Sequence, residues 1–229
     1  MKEFKYKGII FDLDGTILDT INDITDGLNG ACDKCGLTHF TNEDAKYLAG
    51  SGVDVLVQRC LAKKNASIDL FDSFKKNYLE SYEKCRANKT KVFDGLLEVL
   101  DELKENGIKM AVFSNKPDCD TQAIIKNYFK EGYFDIVLGK KDGVRIKPYP
   151  EGSYPILENF GLPKEEILYA GDTSVDMDTA TNIGLDSIGV LWGFRKEDEL
   201  REHGAKFIIS NPKEILKIFE KGSLWTEFY

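Results

Sequence analysis

Hydrophobic and polar positions change their spacing near residue 91 of this 229-residue chain. A short strand is predicted over Lys7 to Phe11, where the apolar run Gly8-Ile9-Ile10-Phe11 stops abruptly at Asp12-Leu13-Asp14-Gly15-Thr16. Beyond it, Ile17, Ile21, Ile24, Leu28 and Ala31 recur at three- and four-residue intervals, the mark of an amphipathic helix leading away from the loop. Thr41-Asn42-Glu43-Asp44 reads as a capped helix start, Val53-Asp54-Val55-Leu56-Val57 leads towards Leu61, and Leu70, Phe71, Phe74, Tyr78, Leu79 and Tyr82 repeat the helical spacing. Residues 19–90 are therefore expected to be all-helical.

From Lys91 strand-like runs alternate with helix-like ones. The pattern predicts helix Leu96 to Asn106, strand Lys109 to Ser114, helix Thr121 to Phe129 and strand Phe134 to Gly139. A helix around Pro155 to Phe160, strand Ile167 to Gly171, helix Val175 to Ile183, strands Ser187 to Trp192 and Phe207 to Ser210 and a final helix follow. Such alternation specifies an α/β fold with a parallel sheet and crossover helices. The strand Lys7 to Phe11 must join that sheet, since one short strand cannot stand alone. Residues 1–18 and 91–229 are then one domain, and residues 19–90 are a helical insert placed as a cap over the sheet's carboxyl edge.

Composition narrows the setting. With 31 Lys+Arg against 39 Asp+Glu the net charge is −8, so the long-range field repels nucleic acid and anionic membrane surfaces. An anionic substrate would need local positive charge. The N-terminal segment Met1-Lys2-Glu3-Phe4-Lys5-Tyr6-Lys7 lacks the apolar core of a signal peptide or span, which predicts a cytoplasmic protein. Five cysteines, an odd number, fit a reducing compartment. Cys32 and Cys35 form a C-x-x-C, but there is no second pair, His39 and His203 are the only histidines, and the motif falls within a helical pattern. It is read as neither a redox nor a metal site.

Polar groups stand where the pattern ends its strands: Asp12 and Asp14; Ser114-Asn115-Lys116-Pro117; Arg145-Ile146-Lys147-Pro148; and Gly171-Asp172-Thr173-Ser174-Val175-Asp176. In an open α/β sheet, loops at the carboxyl ends of the strands converge on one crevice. Aspartates meeting there repel, and a divalent cation is the usual solution; oxygen-only ligands point to Mg²⁺, which leaves a position for a substrate phosphate. The Ser114 hydroxyl and the Asn115 backbone N–H at a helix-opening loop could donate to phosphate oxygens, Lys147 could neutralise charge as it develops, and Pro148 would hold that loop extended. Thr16 has a hydroxyl to tie the first loop down, and Gly15 gives it backbone freedom. Each residue also has an ordinary reading: Ser114 and Asn115 as turn residues, Lys147 as a solvated lysine, Asp172 as a helix N-cap.

Taken together, Asp12-Leu13-Asp14-Gly15-Thr16, Ser114, Lys147 and Gly171-Asp172-Thr173-Ser174-Val175-Asp176 resemble the four ordered motifs of the haloacid-dehalogenase-like phosphohydrolase superfamily. The resemblance spans nearly the whole chain. It implies a Rossmann-like three-layer core with a helical cap, Asp12 as the nucleophile that becomes an aspartyl-phosphate, and Asp14 as the acid for the leaving alcohol and then the base for water. It further implies that Asp12, Asp172 and the Asp14 backbone carbonyl bind Mg²⁺, with Asp176 orienting or completing the shell. Asp14 argues against the dehalogenase branch, which lacks an acid there. Ser114-Asn115-Lys116-Pro117, Lys147-Pro148-Tyr149-Pro150, Val190-Leu191-Trp192-Gly193-Phe194-Arg195 and, in the cap, Gly50-Ser51-Gly52 with Val55-Leu56-Val57 look most like the phosphoglycolate phosphatase group. Ser114 replaces that group's commoner threonine, and Ser51 takes the middle place of its glycine pair. Gly50, Ser51 and Gly52 are a substrate loop on this reading and a flexible turn on the plainer one; Trp192 and Phe194 are read as core or sheet-edge aromatics.

The resemblance implies a Mg²⁺-dependent phosphatase of small phosphate monoesters. One rival is a sugar phosphomutase of the same superfamily, for which Arg59, Lys63 and Lys64 are the candidate cap cations, although on a helix they read as a solvated face. A second is a non-catalytic phosphorylatable regulatory domain, a class about half this length without an insert. The partner expected is a small phosphate monoester, with no nucleic acid and no membrane, and the protein is a monomer or homodimer. The aromatic tail Leu224-Trp225-Thr226-Glu227-Phe228-Tyr229 is expected to dock on the core or on a second subunit.

Overall fold

The structure, a computed structural model, describes residues 4–221. In chain order it contains β1 (Gly8–Phe11), β2 (Leu18–Asp19), helices α1 (Ile21–Cys35), α2 (Asn42–Leu48), α3 (Gly52–Lys63) and α4 (Phe71–Cys85), then β3 (Lys91–Val92). There follow α5 (Leu96–Glu105), β4 (Lys109–Pro117), α6 (Asp118–Tyr128), β5 (Ile136–Lys140), α7 (Tyr154–Phe160) and β6 (Ile167–Gly171). The series closes with α8 (Ser174–Ile183), β7 (Asp186–Val190), α9 (Glu197–Glu202), β8 (Phe207–Ile209) and α10 (Glu214–Lys221). The chain forms two compact units, one taking it up to Ile17 and again from Val92, the other Leu18–Lys91. The aromatic tail from Leu224 lies outside the described residues.

In the first unit six strands run parallel in the order β5-β4-β1-β6-β7-β8. Helices α5, α6, α8 and α9 pack against them, as an α/β fold requires. β1 is central because all of Gly8-Ile9-Ile10-Phe11 is buried, which suits a strand covered on both faces. Its register sets Phe11 beside Val112 of β4 and Ala170 of β6, so the residues that follow these strands emerge at one edge. Burying Ile9, Ile10 and Phe11 contributes on the order of 1.5–3 kcal/mol each. At the opposite end, the Tyr6 hydroxyl donates to Asp186 Oδ2 at 2.6 Å while its ring meets Phe207 and Phe219 edge-on.

The helical unit is held by its own core. Ile21, Ile24, Leu28, Ala31 and Cys32 line the buried stripe of α1, which packs on α4. The helices approach closely because Gly27 and Gly30 face Tyr82 and Ser81: a Cβ on Gly30 would lie 2.6 Å from the Ser81 hydroxyl. The α2 start carries the capping box of Thr41 and Asp44. Asp23, fully buried on α1, accepts hydrogen bonds from the Lys89 and Thr90 amides and the Thr90 hydroxyl at 2.6–3.2 Å. Cys32 and Cys60 are buried free thiols, pushed up to about 11 and about 12 by burial, and Cys35 stands at the end of α1.

Several local expectations need correction. α1 begins at Ile21, so Ile17 is not on it, and residue 19 belongs to β2, which pairs with β3. Two-residue strands are too short to leave a period in the sequence. The charged helix α9 was not anticipated, and β7 ends at Val190, leaving Leu191 to Phe194 in a loop. β4 runs on to Pro117, three residues beyond its expected end, with a register shift against β5 between Phe113 and Pro117. Among the described residues no helix is long and apolar enough to cross a membrane.

Candidate active site

Asp12 directly follows β1, its amide donating to Ala170 O at 2.9 Å, which fixes the start of the loop against β6. Gly15, at φ +86°, lets the chain turn, and the Thr16 and Ile17 amides close back onto Leu13 O. The Thr16 hydroxyl donates to Asp172 Oδ1 at 3.0 Å, so the first loop is tied to the residue that follows β6.

Lys147 is the hub. Its ammonium donates to Asp12 Oδ1 at 2.6 Å and to Asp176 Oδ1 at 2.7 Å, and its side chain is only 2 % exposed. Burial opposes the charged form, yet the Asp12 and Asp176 carboxylates outweigh it and hold Lys147 well above the usual lysine range. The residue lies beyond β5 in a turn closed by Tyr149 N–H donating to Ile146 O at 3.0 Å, with a cis Lys147–Pro148 peptide. Pro148 therefore belongs to a tight turn and does not hold an extended loop, and Lys147 is not at a strand's end. What places it is the Asn115 side chain, which accepts from Lys147 N–H at 2.8 Å and donates to Lys147 O at 3.2 Å.

Ser114 and Asn115 are buried within the irregular end of β4 and not in a helix-opening loop. The Ser114 hydroxyl oxygen accepts from Lys116 N–H at 3.2 Å. Asp172 is not a helix cap: Thr173 is the N-cap of α8, and its amide and hydroxyl donate to Asp176 Oδ2 in a capping box. Asp14 stands apart, its carboxylate accepting from Lys116 Nζ at 3.2 and 3.4 Å, with the lysine side chain 7 % exposed.

Asp12, Asp172 and Asp176 bring carboxylate oxygens within 4.8 Å of one another, all three buried. Burial and the Asp176 charge push the Asp12 carboxyl up to about 7 against the pull of Lys147. Burial and the Asp176 and Asp12 charges hold Asp172 well above the usual carboxylate range. Three buried acids around one ammonium leave excess negative charge in a low-dielectric site, and an all-oxygen donor set of this kind fits Mg²⁺. The Asp14 carboxylate is outside that group, so only its backbone carbonyl remains for the ligand role that the resemblance implies.

Residues 9–190 match the haloacid dehalogenase-like hydrolase family. The chain belongs to that family. It is similar to the phosphoglycolate phosphatases of Mannheimia succiniciproducens, at 29% identity over 93% of this chain and 98% of that one, and of Aquifex aeolicus, at 30% over 93% and 96%. A Lactobacillus delbrueckii subsp. bulgaricus crystal structure, provisionally assigned the same activity, superposes with a TM-score of 0.86 at 37% identity, covering 94% of this chain and 98% of that one. The chain is thus a haloacid dehalogenase-like hydrolase of the phosphoglycolate phosphatase-like group.

Two further features of this hydrolase had no signal in the sequence pattern. The loop after β7 clamps the acidic site: Trp192 Nε1–H donates to Thr16 O at 3.0 Å, and Phe194 N–H donates to Asp172 Oδ2 at 2.7 Å. Between them, Gly193 lets the chain lie against Asp172. Sequence reasoning left Trp192 and Phe194 as packing aromatics because their polar work is done by an indole N–H and a backbone amide. Lys116, quoted only within a motif, is the second. In the helical unit, Gly50 and Gly52 take φ +105° and +80°, and Ser51 caps α3 without a side-chain bond. Arg59 Nη1 donates to Leu48 O, Lys63 pairs with Asp44, and Lys64 donates to Thr38 and His39.

Proposed function

We propose that this hydrolase is a Mg²⁺-dependent phosphatase of small phosphate monoesters that works through an aspartyl-phosphate on Asp12, with 2-phosphoglycolate as its leading substrate. The observation that carries the reading is the buried Lys147 ammonium shared by Asp12 and Asp176 beside Asp172. Asp12 Oδ1 is occupied by Lys147, and Oδ2 accepts no hydrogen bond among the described residues, which suits it to attack. In the first step Asp12 Oδ2 bonds to phosphorus, the bond to the leaving oxygen breaks, and Asp14 gives that oxygen its proton. In the second, Asp14 takes a proton from water, the water oxygen bonds to phosphorus, and phosphate leaves with the Asp12 carboxylate restored. Ser114 and the Asn115 N–H donate to phosphate oxygens, and Lys147 balances charge on the transferring group. Asp12, Asp172 and Asp176, with the Asp14 carbonyl, would hold Mg²⁺, which would offset the carboxylate and phosphate charges when bound. Gly50, Ser51 and Gly52 are proposed as substrate contacts from the helical unit.

The test is a panel of phosphate monoesters, including 2-phosphoglycolate, sugar phosphates and nucleotides, assayed with Mg²⁺ and with EDTA. Free phosphate released only with the metal, and at least a thousandfold less from Asp12→Asn, is the expected result, in line with removal of a nucleophile. Metal-dependent turnover persisting in Asp12→Asn would refute it. Isomerised sugar phosphate without free phosphate would favour a mutase instead, and a stable phosphoprotein with no monoester turnover a regulatory domain.

A further inference from the structure

We infer that Lys116 is the residue that selects a substrate whose alcohol carries a carboxylate on the carbon next to the ester oxygen, an inference that rests on the phosphatase reading above. Lys116 lies beside Asp14, with Nζ 3.2 and 3.4 Å from its two carboxylate oxygens. On that reading Asp14 serves the leaving oxygen, so a cation touching Asp14 stands on the leaving-group side of the phosphate. Lys147, by contrast, touches Asp12 on the side of the transferred group. The two lysines thus divide the ester: one meets the phosphoryl group, the other what departs from it.

Reach decides which leaving groups Lys116 can read. In a monoester of a 2-hydroxy acid, the carboxyl carbon is two covalent bonds of about 1.5 Å from the ester oxygen. A leaving oxygen at hydrogen-bond distance from Asp14 therefore brings that carboxylate within the range of an ammonium already 3.2 Å from the same side chain. An alcohol without a charged group would bring nothing for it to bind, and one with its charge several bonds further away would overshoot. A lysine ammonium has three N–H donors, and sharing one between two carboxylates is an arrangement this site already contains at Lys147. Lys116 is also nearly buried, so its charge is poorly screened and worth more to a small anion than any surface lysine. In a chain of net charge −8 such local positive charge is needed to admit a dianionic phosphate bearing a further carboxylate. The Lys116 amide donates to Ser114 Oγ at 3.2 Å, which ties the lysine's backbone to the serine proposed to meet the phosphate.

The experiment compares kcat/KM for 2-phosphoglycolate and for 2-hydroxyethyl phosphate, which has a neutral hydroxymethyl group in place of the carboxylate, in wild type, Lys116→Met and Lys116→Arg with Mg²⁺. Wild type should prefer 2-phosphoglycolate. Lys116→Met should cut that preference about tenfold or more, chiefly through KM, and Lys116→Arg should restore part of it. Equal loss on both esters in Lys116→Met would mean that Lys116 only holds Asp14, and would overturn the inference, as would an unchanged preference. If wild type hydrolyses both esters equally well, the selection fails while the phosphatase reading stands. If it hydrolyses no monoester in the panel, both fall.

Discussion

Gly193 is where a single methyl group should disable the site. A Cβ there would lie 2.3 Å from Asp172 Cβ, 2.4 Å from Asp172 Oδ2 and 2.5 Å from the Gly15 carbonyl oxygen. None of these is the end of a flexible side chain, so relief requires movement of a backbone or of the Asp172 carboxylate itself. Overpacking a tight interior costs about 1–3 kcal/mol, and the rigidity of these neighbours puts Gly193→Ala in the upper half of that range. For a chain of this size, about 2–3 kcal/mol lowers Tm by about 4–12 °C. The movement also disturbs the Phe194 N–H bond to Asp172 and the proposed metal ligand with it, a class of change that costs about 10–100-fold in metal affinity. Thermal melts of wild type and Gly193→Ala across a Mg²⁺ titration measure both effects, since a ligand that binds the native state raises Tm with its concentration. A variant that melts with wild type and shows the same Mg²⁺ dependence would refute the packing argument. A lower Tm with an unchanged Mg²⁺ dependence would show that Gly193 protects the fold but not the placement of Asp172.

Other outcomes follow from the same reasoning. Asp23→Ala leaves the Lys89 and Thr90 amides and the Thr90 hydroxyl without their acceptor and should lower urea-unfolding stability by about 2–4 kcal/mol, with Asp23→Asn milder; a change below about 0.5 kcal/mol would remove Asp23 from the helical unit's support. For Asp186, burial works upward, but hydrogen bonds from Lys206 and the Tyr6 hydroxyl outweigh it and hold the carboxyl below the usual range. Its contribution is therefore complete above the unfolded value of about 3.9 and is lost as pH falls through the lower folded value. The stability gap between wild type and Asp186→Asn should be widest near neutral pH and narrow below pH about 4; a gap independent of pH would contradict the assignment.

The parallel sheet was legible in the sequence because its strands are apolar and its crossover helices amphipathic, and β6 was placed residue for residue. Asp12 and Asp172 were legible as well, since each directly follows an apolar run that had to be a buried strand. What escaped had no periodic signature. β2 and β3 are two residues each, and α9 is six mostly charged residues whose start has no side-chain cap. Asn115 was read for its backbone N–H, whereas its side-chain amide grips Lys147, a contact between residues 32 positions apart that only the sheet's closure creates. Lys147 was grouped with the polar residues at strand ends, yet Arg145, Ile146 and Lys147 all lie in the loop after β5, well past its end at Lys140.

The central position of β1 has a consequence for biosynthesis. Its residues leave the ribosome before either neighbour exists, and they pair only when Lys109 to Val112 on one side and Ile167 to Ala170 on the other have been made. Until then the apolar segment that leads into Asp12 has no sheet to enter. Every residue of the helical unit, Leu18–Lys91, has been made before the first strand that pairs with β1 begins at Lys109. Maturation should therefore be sequential, with a helical island forming early and chemistry switched on last by long-range strand insertion. Stalled or truncated chains that end before β6 would expose β1 and be targets for chaperones and proteases, however sound their helices.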